Sequence, residues 1–302
     1  MNEHDGNGAG GPNGRVLVIE SGQYRAVLTS AGATLAALTN AGDDLVVPFD
    51  ADAETGDGYQ GRSLLPWPNR ITGSRYTWAG TTYEVPCNES ATGAALHGSA
   101  CWTDWTVGER SPSGVTFALT LPASPGYPWP LAASVEYALD AASGLTITLT
   151  ATNTGPDAAP VGLSTHPYLT CGVPGDECTL SAPAGGVLEV DARLSPLRVS
   201  DVWGTPFDLR VPAPLAGVEI DNAFTDLPEH WAVDLVGPGY GVRMTAASAW
   251  LQVYTGEKLG RRGVAVEPMT CPPDAFNGDH ASVELASGGT RTLVVGIAAL
   301  RP

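Results

Sequence analysis

The sequence predicts an all-β protein, built as one large sandwich of antiparallel strands. Glycine (37 residues) and proline (25 residues) exceed their usual shares of about 7% and 5% in this chain of 302 residues, which favours short elements joined by tight turns. Residues 115–121 and 145–151 alternate apolar with small or threonine side chains, as half-buried strands do. No linker divides the chain, so we expect one domain over residues 15–302.

Other segments extend this prediction along the chain. Residues 75–85 predict a hairpin with its turn at Ala79-Gly80, and residues 231–235 and 242–245 flank a second turn at Gly-Pro-Gly. One turn of helix is expected at residues 33–38. Further strands are predicted at residues 15–20, 24–29, 45–48, 131–139, 250–254, 264–267 and 291–298.

The overall charge and composition exclude several classes of partner. The chain has 15 basic and 32 acidic residues, a net charge of −17, which opposes binding to nucleic acid and to anionic membranes. It contains no apolar run of about 18 residues that would span a bilayer. Residues 1–14 are polar and glycine-rich, unlike a signal peptide, and we expect them to be disordered. Five scattered cysteines, an odd number, indicate reduced thiols and a cytoplasmic location.

Two segments in the first third of the chain carry polar groups suited to binding. Arg70 follows a stiff Pro-Trp-Pro run that fixes the direction of the loop, although an exposed surface arginine would fit as well. His97 precedes Gly98, which allows close backbone approach. Trp102 lies nearby and offers a flat face to sugar C–H groups. A core histidine beside a turn is the alternative for His97.

Three later segments place titratable groups near apolar strands. Pro167 directs His166 toward extended backbone. Asp221, followed by asparagine, can accept hydroxyl hydrogen bonds, although Asp-Asn is also an ordinary turn pair. Glu267 ends an apolar strand, so its carboxylate must be hydrogen-bonded, paired or functional. A salt bridge from Glu267 to Arg261 or Arg262 is the structural alternative.

Metal and cofactor motifs are missing from the sequence. Histidine spacings typical of zinc sites and EF-hand loops do not occur, and neither do glycine-rich phosphate-binding loops or a GxSxG nucleophile elbow. We therefore expect no metal and no cofactor.

These segments, in this order, resemble the aldose 1-epimerase (galactose mutarotase) family. The matching motifs are Asn-Arg-Ile at 69–71, Leu-His-Gly at 96–98, Thr-His-Pro-Tyr at 165–168, Asp-Asn-Ala-Phe at 221–224 and Glu-Pro at 267–268. The resemblance implies a galactose mutarotase-like β supersandwich with its site on a concave sheet face. It also implies that Glu267 is the general base and His166 the general acid. It implies as well that Arg70, His97 and Asp221 hold the sugar. We expect Tyr168 and Trp102 to belong to the same substrate-binding set.

The predicted function is an isomerase that interconverts the α and β anomers of a free aldohexose such as glucose or galactose. The expected partner is a small monosaccharide, and the protein is expected to be a monomer or homodimer. One alternative is a hexose-6-phosphate 1-epimerase, because Lys258, Arg261 and Arg262 form a basic cluster shortly before the glutamate. A non-catalytic sugar-binding protein on the same sandwich is the other alternative.

Overall fold

The structure, a computed structural model, describes residues 11–300. Two single-turn α-helices, α1 (Ala275–Gly278) and α2 (His280–Val283), and 3-10 turns at Thr72–Ser74, Ala100–Trp102, Gly175–Glu177 and Glu257–Leu259 accompany the strands. In chain order the strands are β1 (Val16–Ser21), β2 (Tyr24–Thr29), β3 (Thr34–Asn40), β4 (Asp43–Asp44), β5 (Ser63–Leu64), β6 (Arg70–Ile71), β7 (Arg75–Trp78), β8 (Thr81–Glu84), β9 (Ala95–Leu96), β10 (Thr106–Ser111), β11 (Gly114–Leu121), β12 (Leu131–Asp140), β13 (Gly144–Asn153), β14 (Ala159–Pro160), β15 (Ser164–Thr165), β16 (Tyr168–Leu169), β17 (Thr179–Ser181), β18 (Gly186–Val190), β19 (Pro196–Asp201), β20 (Ala213–Pro214), β21 (Asp221–Thr225), β22 (Trp231–Val236), β23 (Gly241–Ala246), β24 (Trp250–Tyr254), β25 (Val264–Met269), β26 (Glu284–Leu285) and β27 (Thr290–Leu300).

Two large sheets make up the body of the protein. The nine-stranded sheet has the order β10-β11-β12-β13-β27-β23-β22-β17-β20. The eight-stranded sheet has the order β19-β18-β21-β24-β25-β15-β5, and β16 also pairs with β25. Strands pair antiparallel in both sheets. A smaller sheet contains β1 to β4. The predicted all-β fold, a large antiparallel sandwich, is confirmed.

One continuous apolar core joins the two large sheets. Val135 and Ile147 of the nine-stranded sheet belong to the same buried cluster as Leu251 and Val266 of the eight-stranded sheet. Burying such a side chain stabilises the fold by about 1.5–3 kcal/mol. Strand β12 alternates buried residues with exposed or half-buried ones along its whole length, as a half-buried strand does.

The strands at the centre of the eight-stranded sheet are apolar on one face and polar on the other. In β25, Val264 and Val266 enter the core, so Ala265 and Glu267 point to the opposite face. In β24, Leu251 and Val253 likewise enter the core, which leaves the positions between them facing away from it. Because side chains alternate between the two faces of a strand, the polar residues of these strands lie together on the outer face of this sheet, away from the core.

The expected helical turn at residues 33–38 is wrong, because β3 occupies this segment and pairs with β2. A bulge in the pairing beside Leu28 shifts the alternation of β3. Leu35 and Leu38 therefore both reach the core, and their three-residue spacing imitates helical periodicity.

The strand expected at residues 45–48 is also not formed. Val46 makes an isolated bridge to Leu169, and Leu45, Val46 and Val47 are buried. Their apolar character reflects core packing in an extended loop. Pro48 has no N–H with which to continue a ladder.

The segment predicted as a tail, residues 1–14, lies partly outside the described residues. Gly11 and Gly14 form a small turn, and Asn13 is buried with its side-chain amide donating to the carbonyls of Ala51 and Glu54. Over residues 11–300, no helix is long and apolar enough to cross a membrane.

Candidate active site

Strand register sets Glu267 between two polar neighbours on the outer face of the eight-stranded sheet. Gln252 of β24 is its direct cross-strand partner. On the other side of β25, β15 ends before His166 and β16 begins after it, and both strands pair with β25 in one continuous register. This register places His166 directly opposite Glu267. Opposed residues on neighbouring antiparallel strands project from the same face at contact distance. The fold therefore brings the two predicted catalytic residues together.

Glu267 and His166 form a buried acid–base pair. Oε1 of Glu267 lies 3.3 Å from Nε2 of His166, and the two side chains are 2% and 5% exposed. Burial, assisted by the charges of Lys258 and Arg70, lowers the pKa of His166 to about 3. Burial also raises the pKa of Glu267 well above its usual range, with Asp221 adding to the rise and Arg70 opposing it. Both shifts favour a pair that carries a single proton at neutral pH.

Three polar atoms around this pair are buried and have no hydrogen-bond partner among the described residues. They are Oε2 of Glu267, Nδ1 of His166 and Oε1 of Gln252. An unsatisfied buried polar atom costs about 1–3 kcal/mol, and few occur in native proteins. Their concentration at one place indicates a site built to bond a polar ligand.

His97 reaches the pair from a strained turn that fixes its tautomer. Asn69 and His97 both have positive φ angles, of 54° and 64°. The Asn69 N–H donates to Nδ1 of His97 at 3.1 Å, and the His97 N–H donates to the Asn69 carbonyl at 2.8 Å. Since Nδ1 accepts this bond, the proton of the neutral imidazole lies on Nε2. Burial lowers the pKa of His97 well below its usual value, and the proximity of His166 lowers it further, so the ring is a neutral donor.

Arg70 enters the site as part of a network of charges. Its Nε and one Nη donate to both oxygens of Glu89, at 2.7 and 3.0 Å. The same Nη lies 3.7 Å from a carboxylate oxygen of Asp221. The other Asp221 oxygen accepts a 2.7 Å bond from the side-chain amide of Gln252. Burial raises the pKa of Asp221, and Arg70 opposes that rise. These residues place several donors and acceptors for hydroxyl groups around Glu267.

Tyr168 and Trp102 occupy different positions from these residues. Tyr168 is buried, donates its hydroxyl to the Gly58 carbonyl at 2.8 Å, and stacks on His166 with ring centroids 5.1 Å apart. It therefore supports the imidazole from behind. Trp102 is 56% exposed and contacts Tyr59 at the rim, with ring centroids 5.1 Å apart.

The basic cluster after β24 is not the partner of Glu267. Arg261 forms ion pairs with Asp176 at 2.7 Å and with Glu257 at 2.6 Å, and Arg262 donates from Nε to the Leu259 carbonyl. The predicted alternative of a salt bridge from Arg261 or Arg262 to Glu267 is therefore wrong. Lys258 is exposed and close enough for its charge to act on Glu89 and Asp221.

The sequence analysis did not predict three residues of the site. Gln252 could have been found, since it is a polar residue inside an otherwise apolar strand and faces away from the core. Glu89 lies in a polar loop and is recognisable only through its contact with Arg70. Tyr59 lies in a glycine-rich loop and reaches both His97 and His166 through space, with ring centroids 4.5 and 6.2 Å away.

One cluster has the residue types of a metal site. His97, His166 and Glu267 each offer a ligand atom, and these atoms lie within 4.8 Å of one another. Nδ1 of His97 is occupied by the Asn69 N–H, so this residue would ligate only through Nε2. The positive charges of Arg70 and Lys258, which oppose protonation of both histidines, oppose a bound cation in the same way.

Comparisons with known proteins agree with this fold. The sequence profile of the family described as Aldose 1-epimerase matches residues 15–298. The protein YihR of Escherichia coli K12 is 37% identical over 94% of this chain and 93% of its own length. The crystal structure of a GalM/aldose epimerase homologue from C. elegans covers 95% of this chain and 99% of its own, with a TM-score of 0.85 and 23% identity. A galactose 1-epimerase from Lactobacillus acidophilus NCFM covers 94% and 93%, with a TM-score of 0.83 and 17% identity.

The buried carboxyl–imidazole pair on an antiparallel sandwich defines a protein equipped for acid–base chemistry. The chain belongs to the aldose 1-epimerase family. It is therefore an epimerase, an isomerase of a family that acts on small sugars.

Proposed function

We propose that the protein interconverts the α and β anomers of a free aldohexose, such as glucose or galactose, by opening and reclosing the sugar ring. The observation that carries this proposal is the buried contact of 3.3 Å between Glu267 and His166. Ring opening requires a proton to leave the hydroxyl O1 and another to reach the ring oxygen O5. Both oxygens are bonded to C1, so the base and the acid must lie close together, as these two side chains do.

In the proposed reaction the Glu267 carboxylate removes the proton from O1, and His166 donates a proton to O5. The C1–O5 bond breaks as the C1–O1 bond becomes a carbonyl, which gives the open-chain aldose. Rotation about C1–C2 presents the other face of the aldehyde. The O5 hydroxyl then attacks C1 and returns its proton to His166, while O1 recovers its proton from Glu267. Both side chains end in their starting states.

The single proton of the pair is sufficient for this cycle. In the unliganded site burial favours the neutral form, with the proton on Glu267 and a neutral His166. The form required to open the ring has the proton on His166. The two forms differ only by a proton transfer across the contact of 3.3 Å, and sugar hydroxyls that donate to the carboxylate favour the ionised form.

The other predicted binding residues would hold the hydroxyl groups of the sugar. Nε2–H of His97 is a neutral donor, the Arg70 guanidinium is a charged donor, and the Asp221 carboxylate is an acceptor. Gln252 joins this set because Oε1 is buried without a partner and its amide fixes Asp221. Neutral hydroxyl groups suit a site in which positive and negative groups are already balanced against one another.

We also propose that catalysis requires no metal and no cofactor. Proton transfer between oxygen atoms needs no electron carrier, and the pair supplies both an acid and a base. The electrostatic effect of Arg70 and Lys258 on the histidines supports this view. A cytoplasmic location, and a monomeric or homodimeric state, stay predictions from the sequence.

Two alternatives have different requirements. A hexose-6-phosphate 1-epimerase needs a cation for the phosphate, and Lys258 is the member of the basic cluster whose charge acts on the site. A non-catalytic sugar-binding protein would need hydroxyl-binding groups but no buried acid–base pair. The geometry of Glu267 and His166 therefore favours the enzyme.

Polarimetry tests the proposal. Freshly dissolved α-D-glucose and α-D-galactose are followed in weak buffer with the wild-type protein, with Glu267→Gln and without protein. A faster approach to the same final rotation, lost in the variant, is expected. No acceleration of either sugar would overturn the proposed activity on free aldohexoses.

A further inference from the structure

A second Pro-Trp-Pro run, at residues 128–130, lies outside the candidate active site. Like the run at residues 66–68, it holds a tryptophan between two prolines, which restrict its backbone. Trp129 is 6% exposed. It lines a cavity of about 660 Å³ at the end of the nine-stranded sheet where β12 begins and β13 ends. Small-molecule sites have volumes of about 300–1,000 Å³, so this cavity is large enough to hold a ligand.

Aromatic side chains form the walls of this cavity. Trp78 and Tyr83 come from the hairpin of β7 and β8, and their rings lie 6.4 and 5.1 Å from that of Trp129, measured between centroids. His280 of α2 contacts Trp78 at 5.1 Å. The Trp78 indole N–H donates to the Ala158 carbonyl at 3.1 Å, which ties the hairpin to the loop after β13. The walls are therefore held in place by contacts within the protein, and binding does not have to order them.

The indole N–H of Trp129 has no acceptor among residues 11–300. A buried indole N–H usually finds a partner. The other buried tryptophans follow this rule and donate to main-chain carbonyls: Trp67 to Ala95, Trp78 to Ala158, Trp105 to Ala100 and Trp231 to Ser248. The N–H of Trp129 is also not sealed from solvent, so it opens into the cavity that this side chain lines. It presents a hydrogen-bond donor to a ligand there.

Two carboxylates line the same cavity. Asp157 and Glu284 are exposed, and neither side chain forms an ion pair or a hydrogen bond within the described part of the chain. The lining contains no lysine or arginine. Arg291 lies nearby, but it donates to the main-chain carbonyl of Glu284. The cavity thus combines aromatic faces, one N–H donor and two charged acceptors.

We infer that this cavity is a second, non-catalytic site that binds a neutral saccharide. A pyranose ring offers a C–H face to the aromatic walls and an oxygen acceptor to the Trp129 N–H. Its hydroxyl groups can donate to the carboxylates of Asp157 and Glu284. None of the lining residues belongs to the candidate active site, so binding here is independent of the proposed catalysis.

Other classes of ligand leave part of this site unsatisfied. The two carboxylates and the net charge of −17 repel an anion. A purely apolar ligand leaves the Trp129 N–H unpaired and removes water from the carboxylates. A quaternary ammonium ion such as tetramethylammonium suits the carboxylates and the aromatic faces, but it cannot accept a hydrogen bond from the indole. A neutral ring with several hydroxyl groups uses all three features of the cavity.

NMR of the indole N–H groups tests the site. The isotope-labelled protein is titrated with the methyl glycosides of β-D-glucose, β-D-galactose and α-D-mannose, and separately with tetramethylammonium. The blocked anomeric oxygen of these glycosides prevents ring opening. Trp129→Phe identifies the Trp129 resonance by its loss, and Trp102→Phe identifies that of Trp102, which reports on the candidate active site. We expect at least one glycoside to shift the Trp129 resonance and to saturate it at millimolar concentration.

Variants of the carboxylates test the contacts of the ligand. Asp157→Ala and Glu284→Ala should each raise the Kd of that glycoside about three- to tenfold, because a hydrogen bond to a charged acceptor is lost. Glu109→Ala, at an exposed glutamate of β10, is the matched control and should leave the Kd unchanged. If Trp129→Phe does not fold, calorimetric titration of Glu284→Ala and Glu109→Ala with the same glycosides decides, and the site requires weaker binding in Glu284→Ala alone.

Three results would overturn the assignment of this cavity. The first is that no glycoside shifts the Trp129 resonance, including the case in which only the Trp102 resonance moves. The second is a Kd that neither Asp157→Ala nor Glu284→Ala raises. The third is saturation of the Trp129 resonance by tetramethylammonium and not by the glycosides, which would make the cavity a site for an organic cation.

Discussion

His166 Nε2 lies 3.3 Å from Glu267 Oε1, and the strands on either side hold their backbones in one register. The contact is thus a property of the sheet and does not depend on a flexible loop. Because burial lowers the pKa of His166 and raises that of Glu267, the pair has a strong preference for a single proton. This relationship leads to predictions for activity, stability and pH dependence.

Glu267→Gln should lower kcat about 10²–10⁴-fold and leave sugar affinity within a few fold. The amide keeps the size of the side chain but cannot accept the proton from O1. The measurement is polarimetric turnover together with calorimetric titration of the sugar. Glu109→Gln, on the exposed face of β10, is the control and should behave as wild type. Turnover near the wild-type rate in Glu267→Gln would remove Glu267 from the role of base.

The same substitution should stabilise the folded protein at neutral pH. Burial raises the folded-state pKa of Glu267 above its unfolded value, so the ionisable carboxyl costs folding free energy as pH rises above about 4.5. Glutamine has no such cost. Urea unfolding at pH 7 should show a gain of more than about 1 kcal/mol for Glu267→Gln, and the gain should shrink toward pH 4.5. Equal or lower stability at pH 7 would contradict the assigned burial.

The pH profile of kcat/KM should lack the acid limb of an ordinary histidine. Activity requires one proton on the pair, and it falls when a second proton binds or the single proton leaves. Burial places the pKa of His166 at about 3 and raises that of Glu267. The acid limb of the pH profile therefore moves to lower pH and the basic limb to higher pH. After subtraction of the uncatalysed rate, activity should therefore show no fall near pH 6.5, where an ordinary histidine titrates. A limb near pH 6.5 would show that His166 titrates as an exposed histidine does.

Much of the fold could be predicted because half-buried strands alternate apolar and polar residues, and this alternation is visible in the sequence. The observed β2 and β24 have the predicted bounds, and Ala79 and Gly80, both at positive φ, form the predicted hairpin turn. Where the prediction was wrong, tertiary structure overrode the local pattern. The bulge beside Leu28 gave β3 a spacing that imitates a helix. No local pattern in the sequence predicts such a bulge.

Part of the candidate site could likewise be predicted from the sequence, and part could not. Glu267 and His166 could be proposed from the sequence because a polar residue within apolar surroundings is conspicuous. Their contact could not be proposed from spacing, since it depends on β15, β16 and β25 being neighbours in the sheet. Tyr59 and Glu89 lie in loops whose composition is typical of solvent-exposed turns. Only the three-dimensional path of those loops brings them to the site.

A chelator should leave the rate unchanged. The pair provides both proton-transfer groups, and the charges of Arg70 and Lys258 oppose a cation between His97, His166 and Glu267. Polarimetry is run before and after dialysis against EDTA, with metal analysis of the dialysed protein. A rate that falls on dialysis and returns with a divalent metal would make the cluster of two histidines and a glutamate a metal centre.

A 6-phosphate should not improve the substrate. Arg261 is held by Asp176 and Glu257, so Lys258 is left to compensate two phosphate charges beside the carboxylates of the site. Like charges that are brought together in a partly buried site weaken binding. We expect KM for glucose 6-phosphate to equal or exceed that for glucose. Arg110→Met, on the exposed part of β10, is the charge-matched control for Lys258→Met. The opposite result would be a KM for glucose 6-phosphate below that for glucose, with the difference lost in Lys258→Met and kept in Arg110→Met. Only a specific contact between Lys258 and the phosphate separates these two variants, so this result would identify a sugar-phosphate epimerase.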